Sequence, residues 1–167
     1  MLTMLTLDVI SRKTMFKVLF VCSENTCRSP MAQYIFNKLA KDAGAKALMS
    51  TSAGIYAKDG AKMSENAKLA LTELGINSKF KSHGVNFKNV NDANLIVAMT
   101  ARHKVSLVTE FNCLDKTVTF AEIGGQDIPD PYGQGLTQYR KCASLIFGNC
   151  VNLIRLLIKE KKVCLKK

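Results

Sequence analysis

Short apolar runs alternate along the chain with longer segments in which apolar residues recur every three or four positions. The short runs are rich in β-branched and aromatic residues, which predicts buried strands. These predicted strands are 16–22, 48–54, 94–99 and 117–120. The longer segments predict amphipathic helices at 30–41, 61–74, 100–109 and 137–162.

Strands that alternate with helices indicate parallel strands joined by right-handed crossovers. We therefore expect an α/β fold, a single domain with an open, twisted, four-stranded parallel sheet and helices on both faces. The length of 167 residues is typical of one domain. Residues 1–15 precede the first strand and are expected to form a flexible N-terminal extension, which leaves 16–167 as the folded domain.

The charge of the chain favours anionic partners. Lys and Arg number 24 against 13 Asp and Glu, for a net charge of +11. This excess is compatible with phosphate groups, nucleic acid or acidic lipid. Aromatic residues total only 7% and are not interleaved with basic residues, so no nucleic-acid partner is expected.

The cysteines and the N-terminal residues bear on the compartment of the protein. The six cysteines include no C-x-x-C pair, and no His cluster has zinc-ligand spacing, so no metal site is expected. Asp8, Arg12 and Lys13 interrupt the first apolar stretch, which never reaches membrane-spanning length. We therefore expect no membrane contact and a cytoplasmic protein with free thiols.

The segment after the first strand carries the clearest chemical signal. It reads VCSENTCRSP and places Cys22, Arg28 and Ser29 in one turn between a strand and a helix. Peptide N–H groups in such a turn can surround an anion, the helix N-terminus adds positive potential, and an arginine can bind two phosphate oxygens. The predicted phosphate-binding residues besides Arg28 are Ser23, Glu24, Asn25, Thr26 and Cys27.

A cysteine at the base of this turn has the properties of a nucleophile. The positive surroundings predict a lowered pKa for Cys22, which favours the thiolate. Ser29 can donate a hydrogen bond to that sulfur. Asp130 follows the fourth predicted strand, at the sheet edge where open α/β folds bind ligands, and is expected to protonate the leaving group.

These residues resemble the signature of the low-molecular-weight protein tyrosine phosphatases, which is close to V-C-x-G-N-x-C-R-S-P with a late Asp-Pro pair. The resemblance covers the chain from about Phe16 to the last helix and implies a flavodoxin-like, phosphotyrosine phosphatase I-like fold. It implies Cys22 as nucleophile, Arg28 as phosphate clamp and Asp130 as general acid and base, with no cofactor. The positions that match the family's loop-supporting network are Asn25, Ser29, Ser52 and His83.

The resemblance leaves the substrate open. Thr26 occupies a position at which protein arginine phosphatases of the same family carry threonine, whereas Tyr132 follows Asp130-Pro131 as in tyrosine-directed members. We expect phosphotyrosine hydrolysis, with phosphoarginine hydrolysis as the alternative. Thr26, Tyr56 and Tyr132 are expected at the substrate rim. Glu24 replaces the family's loop glycine, which raises a third possibility, a phosphopeptide-binding module without turnover.

The family resemblance also implies regulation and partners. Cys22 and Cys27 match a pair that can form a reversible disulfide. The region 89–101 lacks the further cysteines that related arsenate reductases use. We expect phosphorylated proteins as substrates, inorganic phosphate or other oxyanions as inhibitors, and a monomer or weak dimer. His103 lies in a polar predicted helix and is expected to be exposed.

Overall fold

A computed structural model describes residues 15–160 and contains one four-stranded parallel sheet. The strands are β1 (Phe16–Cys22), β2 (Leu48–Gly54), β3 (Leu95–Ala98) and β4 (Thr117–Thr119). Their spatial order is β2-β1-β3-β4. The predicted α/β fold class is confirmed. Residues 1–14 of the predicted extension and 161–167 of the predicted domain lie outside the described residues.

Among the described residues, five α-helices connect and follow the strands. They are α1 (Arg28–Asp42), α2 (Glu65–Glu73), α3 (Phe87–Asp92), α4 (Ala101–Phe111) and α5 (Leu136–Lys159). Two short 3-10 helices, Leu114–Lys116 and Ala121–Ile123, flank β4. Each predicted helix has a counterpart among these five.

The position of β1 determines where a ligand can bind. This strand pairs with β2 on one side and β3 on the other, so the connection after β1 leads to one half of the sheet and the connection after β2 leads to the other half. The direction in which strands are added to the sheet thus reverses between β1 and β3. At such a reversal, a crevice opens at the carboxyl ends of the two strands. Cys22 is the last residue of β1 and lies beside Gly54 of β2, at that edge.

The core lies on both faces of the sheet because side chains alternate along β1. Val18, Phe20 and Cys22 belong to one cluster, with α1 and α5, and Leu19 and Val21 belong to a second cluster on the opposite face. The ring of Phe20 contacts those of Phe36 and Phe120 at centroid distances of 5.6 and 5.9 Å. A buried floor of this kind holds the C-terminal end of β1 in place.

The α5 helix is the one described helix that is long and apolar enough to cross a membrane. Its buried residues Ile146, Cys150 and Leu153 belong to the same cluster as Ile35 and Phe36 of α1. This face therefore packs as the core helix of the α/β fold.

Two local predictions differ from the structure. The helix predicted at 61–74 begins only at Glu65, because residues before it pair with a second extended segment, with Lys62 opposite Lys81. The short helix α3 was not predicted, since Val90 is its only buried residue and six residues give almost no periodic pattern. Its start is stabilised by a capping box between Asn86 and Asn89.

Candidate active site

The loop from β1 to α1, residues 22–29, is here called the phosphate loop. Its turn depends on Asn25, which has a φ of 57° in the left-handed region. Asparagine tolerates this conformation better than most residues. Within residues 15–160, the only other non-glycine residue with positive φ is Asn112. Glu24, at the position of the family's glycine, therefore occupies a conformation that does not require glycine.

The phosphate loop rests against the end of β2 without space between them. A Cβ atom on Gly54 would lie 2.7 Å from the carbonyl oxygen of Ser23 and 2.8 Å from the amide nitrogen of Asn25. The amide of Tyr56 donates to the carbonyl of Ser23 at 2.8 Å. Glycine at position 54 is thus a condition for the shape of the loop.

Three parts of the chain support the loop through Asn25. Its Nδ2 donates to Ser29 Oγ at 2.8 Å and to Ser52 Oγ at 2.9 Å. Its Oδ1 accepts from the backbone amide of His83 at 2.8 Å. The structure thus brings the four predicted supporting residues together. His83 contributes its backbone, while its exposed ring contacts Phe80.

The thiol of Cys22 forms the floor of the site. Its Sγ lies 2.9 Å from Ser29 Oγ. Burial raises the pKa of Cys22 above the ordinary thiol value, although the Ser29 hydrogen bond and the charge of Arg28 lower it. The predicted lowering of this pKa is therefore wrong. The reason is that Cys22 lies in the core of the sheet as well as in the loop.

Arg28 links the phosphate loop to residues 128–132 after β4, here called the acid loop. Its Nη2 lies 3.2 Å from Asp130 Oδ2, and its Nη1 donates to the carbonyl of Ile128 at 3.2 Å. The Arg28 side chain is 6% exposed and that of Asp130 is 52% exposed. The cation therefore lies inside the site and the carboxylate at its mouth.

A cavity of about 220 Å³ opens above the thiol. Its lining residues come from the phosphate loop and the acid loop: Cys22, Ser23, Glu24, Thr26, Cys27, Arg28, Asp130 and Tyr132. Of the predicted phosphate-binding and rim residues, Asn25 and Tyr56 are not in this lining. The Asn25 side chain is fully buried in the supporting network, and Tyr56 is exposed nearby. Glu24 and Tyr132 are exposed at the mouth.

His103 contacts the phosphate loop, which the sequence interpretation missed. Its Nε2 lies 2.9 Å from Ser23 Oγ, and its Nδ1 lies 2.8 Å from Thr100 Oγ1. Burial and the nearby charge of Arg28 lower the pKa of His103 to about 4, so the ring is neutral at pH 7. The expected exposure of His103 is wrong. Its position just after β3, at the same sheet edge as Cys22, was the available signal.

The second cysteine of the loop also has a partner distant in sequence. Cys27 Sγ lies 3.4 Å from the hydroxyl of Tyr139 on α5, and both residues are buried. Burial and the contact with Cys27 raise the pKa of Tyr139 to about 12. Cys22 and Cys27 are free thiols in the structure. Tyr139 was not expected at the site, because nothing in the local pattern of α5 distinguishes it from a core residue.

This arrangement can bind and cleave a phosphorylated group. A thiol, a buried guanidinium and a partly exposed carboxyl group face one small cavity, and a helix N-terminus begins beside them. The guanidinium and the helix end can neutralise a phosphoryl dianion. The thiol can attack phosphorus, and the carboxyl group can exchange a proton with a leaving group at the mouth.

Comparisons with known proteins agree with this chemistry. A family model described as "Low molecular weight phosphotyrosine protein phosphatase" matches residues 17–163. A protein-arginine-phosphatase from Geobacillus stearothermophilus is 37% identical over 130 residues, which covers 75% of this chain and 84% of that protein.

Two solved structures share the fold. A low molecular weight protein tyrosine phosphatase from T. tengcongensis is 39% identical, with a TM-score of 0.81 over 85% of this chain and 99% of that one. A mutant of the arginine phosphatase YwlE with a phosphorylated active site serine is 30% identical, with a TM-score of 0.83 over 87% of this chain and 97% of that one.

Proposed function

The chain belongs to the low molecular weight phosphotyrosine protein phosphatase family, and we propose that it hydrolyses phosphotyrosine monoesters in proteins through a cysteinyl-phosphate intermediate. The observation that carries this proposal is the single cavity shared by Cys22, Arg28 and Asp130. Each supplies one requirement of phosphoryl transfer, namely a nucleophile, a cation for the phosphoryl oxygens and a proton donor.

In the first step, the Cys22 thiol passes its proton to a phosphoryl oxygen of the bound substrate, and its Sγ attacks phosphorus as a thiolate. An S–P bond forms while the bond from phosphorus to the tyrosyl oxygen breaks, and that oxygen takes a proton from Asp130. Arg28 and the loop amides stabilise the charge on the three phosphoryl oxygens. Asp130 is suited to this role because its carboxyl group lies at the mouth, where the leaving group departs.

In the second step, water attacks the phosphoryl group and the S–P bond breaks. Asp130, now a carboxylate, takes a proton from the water, and inorganic phosphate is released. The Ser29 hydroxyl, 2.9 Å from Cys22 Sγ, can donate to the departing thiolate. The phosphorylated serine in the YwlE mutant supports a covalent intermediate at the equivalent nucleophile.

A second candidate function is the hydrolysis of phosphoarginine. Thr26 lines the cavity beside Cys27, and the relative from Geobacillus stearothermophilus is a protein-arginine-phosphatase. In this case, the bond from phosphorus to the guanidino nitrogen breaks and that nitrogen receives the proton. The exposed ring of Tyr132 at the mouth favours the phosphotyrosine alternative, since it can pack beside an aromatic leaving group.

A binding module without turnover is the remaining alternative, because Glu24 adds a carboxylate near the phosphate site. Its side chain is exposed at the mouth, where solvent screens its charge. This placement favours turnover over a purely binding role.

The experiment that tests the function measures phosphate release, in metal-free buffer, from matched phosphotyrosine and phosphoarginine peptides. We expect turnover of the phosphotyrosine peptide by the wild-type protein and none by Cys22→Ser. Asp130→Ala should lower kcat by about 10² to 10⁴-fold while vanadate still binds.

Three results would contradict parts of this proposal. Activity that persists in Cys22→Ser would exclude the cysteinyl mechanism. A preference for the phosphoarginine peptide would assign the second function. Tight phosphopeptide binding with no release from either peptide would assign the binding module.

The same proposal includes the setting and regulation of the enzyme. We place it in the cytoplasm as a monomer or weak dimer that acts on phosphorylated proteins and is inhibited by inorganic phosphate or other oxyanions. A peroxide can oxidise Cys22 and Cys27, which lose two electrons and two protons to form a disulfide while the peroxide is reduced. The five described cysteines are free thiols, which is compatible with a reducing compartment.

A further inference from the structure

A second cavity, of about 400 Å³, lies between the segment before α2 and the extended segment 78–81. Four exposed lysines surround it, and Met63 and Phe80 supply apolar lining. We call this feature the lysine groove. Its lysines are Lys62, Lys68, Lys79 and Lys81.

The charges of the lysine groove are unbalanced. Glu65 is its only acidic lining residue, and none of the four lysines forms an ion pair with another residue in the range 15–160. Lys62 and Lys81 are direct partners in an antiparallel bridge. Like charges in that position repel each other, so an anion bound between them would relieve the repulsion.

The backbone that carries these lysines is held in place before any partner binds. The amide of Ser82 donates to the carbonyl of Ala61 at 2.9 Å, and the amide of Ala61 donates to Ser82 Oγ at 2.9 Å. The amide of Gly60 donates to the carbonyl of Ser82 at 2.9 Å. Binding of a partner would therefore cost little conformational entropy, because this surface is already ordered.

Both segments of the lysine groove lead to backbone amides that contact the phosphate loop. The amide of Ser64 donates to the carbonyl of Thr26 at 2.9 Å, and the amide of His83 donates to Asn25 Oδ1 at 2.8 Å. Lys62 and Lys81 each precede these contacts by two residues, a backbone span of at most about 7 Å. A peptide whose phosphorylated residue lies over Cys22 can thus reach the groove with neighbouring residues.

We propose that the lysine groove binds acidic side chains that flank the phosphorylated residue of a protein substrate. This inference rests on the proposed function and narrows its substrates to phosphoproteins with an acidic segment beside the phosphorylated position. Carboxylates pair with the lysines, while Met63 and Phe80 contact the aliphatic part of the peptide. The contribution falls with added salt, because the lysines are exposed.

The experiment compares two phosphopeptides that differ only in three flanking residues, Glu in one and Gln in the other. Both are prepared with phosphotyrosine and with phosphoarginine, and p-nitrophenyl phosphate serves as a substrate without flanks. The double variant Lys62→Gln/Lys81→Gln is expected to raise KM for the Glu peptide by about five- to tenfold. Its kcat, and its KM for the Gln peptide and for p-nitrophenyl phosphate, should stay unchanged.

A matched variant controls for the loss of net charge. Lys41 and Lys46 are exposed near the end of α1 and before β2, at the edge of the sheet opposite the phosphate loop. Lys41→Gln/Lys46→Gln should retain the wild-type preference for the Glu peptide. If both double variants lose the preference for the Glu peptide equally, the proposal is overturned, because the preference would then depend on the net charge of the protein and not on the lysine groove.

Binding of fluorescent forms of the same peptides separates this inference from the proposed function. One outcome is that no peptide is hydrolysed but Lys62→Gln/Lys81→Gln weakens binding of the Glu peptide alone. This outcome would support the binding of acidic side chains in the lysine groove and contradict the phosphatase function. A wild-type protein that hydrolyses both peptides with equal kcat/KM overturns the groove alone. A single-stranded oligonucleotide that displaces the Glu peptide at equal concentration would also overturn the assignment to acidic peptides.

Discussion

At the scale of single residues, Asn25 and His103 determine the shape of the phosphate loop from two sides. Asn25 adopts a left-handed backbone conformation. Its side chain forms hydrogen bonds with Ser29, Ser52 and the backbone of His83. His103 lies on the other side, against the hydroxyl of Ser23. The two residues thus fix the loop before substrate arrives, which phosphoryl transfer requires.

The buried state of His103 predicts a dependence of stability on pH. Its pKa is about 4 in the folded protein, against an ordinary value of 6.5. Between these values the unfolded chain binds a proton that the folded protein does not, so stability falls as pH decreases from about 6.5 to about 4. His103→Gln removes this loss, which is about 2 kcal/mol at pH 5.

The measurement is the free energy of unfolding in urea at pH 7 and pH 5, for the wild type and His103→Gln. We expect the difference between the two pH values to shrink in the variant. An unchanged pH dependence in His103→Gln would show that its ring titrates as in the unfolded chain.

At the scale of elements, the site depends on how closely β2 approaches the loop after β1. A Cβ atom at position 54 would meet backbone atoms of Ser23 and Asn25 at less than 3 Å. Backbone atoms cannot move aside as a flexible side chain can. Gly54 is therefore the residue of β2 at which a substitution would displace the phosphate loop most directly.

Gly54→Ala is expected to displace the phosphate loop and lower kcat/KM for p-nitrophenyl phosphate by about 100-fold, because small shifts of reacting groups are costly. Gly148→Ala is the matched control: Gly148 lies within α5, and no atom beyond its chain neighbours and the local helix backbone lies within 4 Å of its Cβ position. It should leave kcat/KM unchanged and stabilise the protein by about 0.5–1 kcal/mol. Full activity of Gly54→Ala would contradict the close contact between β2 and the loop.

At the scale of the whole molecule, all described contacts of the site join elements between β1 and α5. The first strand begins at Phe16. We therefore propose that the predicted phosphatase domain, 16–167, begins at this strand. A chain that begins at Met15 should unfold with a free energy within about 0.5 kcal/mol of the full chain and retain its kcat/KM.

Urea unfolding and p-nitrophenyl phosphate turnover of the two chains provide this measurement. A loss of more than about 2 kcal/mol in the shorter chain would show that residues 1–14 belong to the folded unit. A loss of activity with unchanged stability would instead place those residues near the site.

The strands, most of the helices and the central chemistry were predictable because they depend on neighbours in the chain. The short apolar run identifies β1, and the spacing of Cys22, Arg28 and Ser29 lies within one turn. The position of Asp130 followed from topology, since the carboxyl ends of parallel strands meet at one edge. Local pattern and topology were enough to predict these features.

The remaining features are contacts between segments far apart in the chain. His103 contacts Ser23, 80 positions away in the sequence, and Tyr139 contacts Cys27, 112 positions away. The sequence around His103 and Tyr139 predicts only an ordinary helix residue at each position. Because Lys62 pairs with Lys81, the chain is extended where the sequence pattern predicted the start of a helix. Burial reversed the expected direction of the pKa shift at Cys22. Desolvation and long-range pairing depend on which segments the fold packs together, so only the tertiary structure decided them.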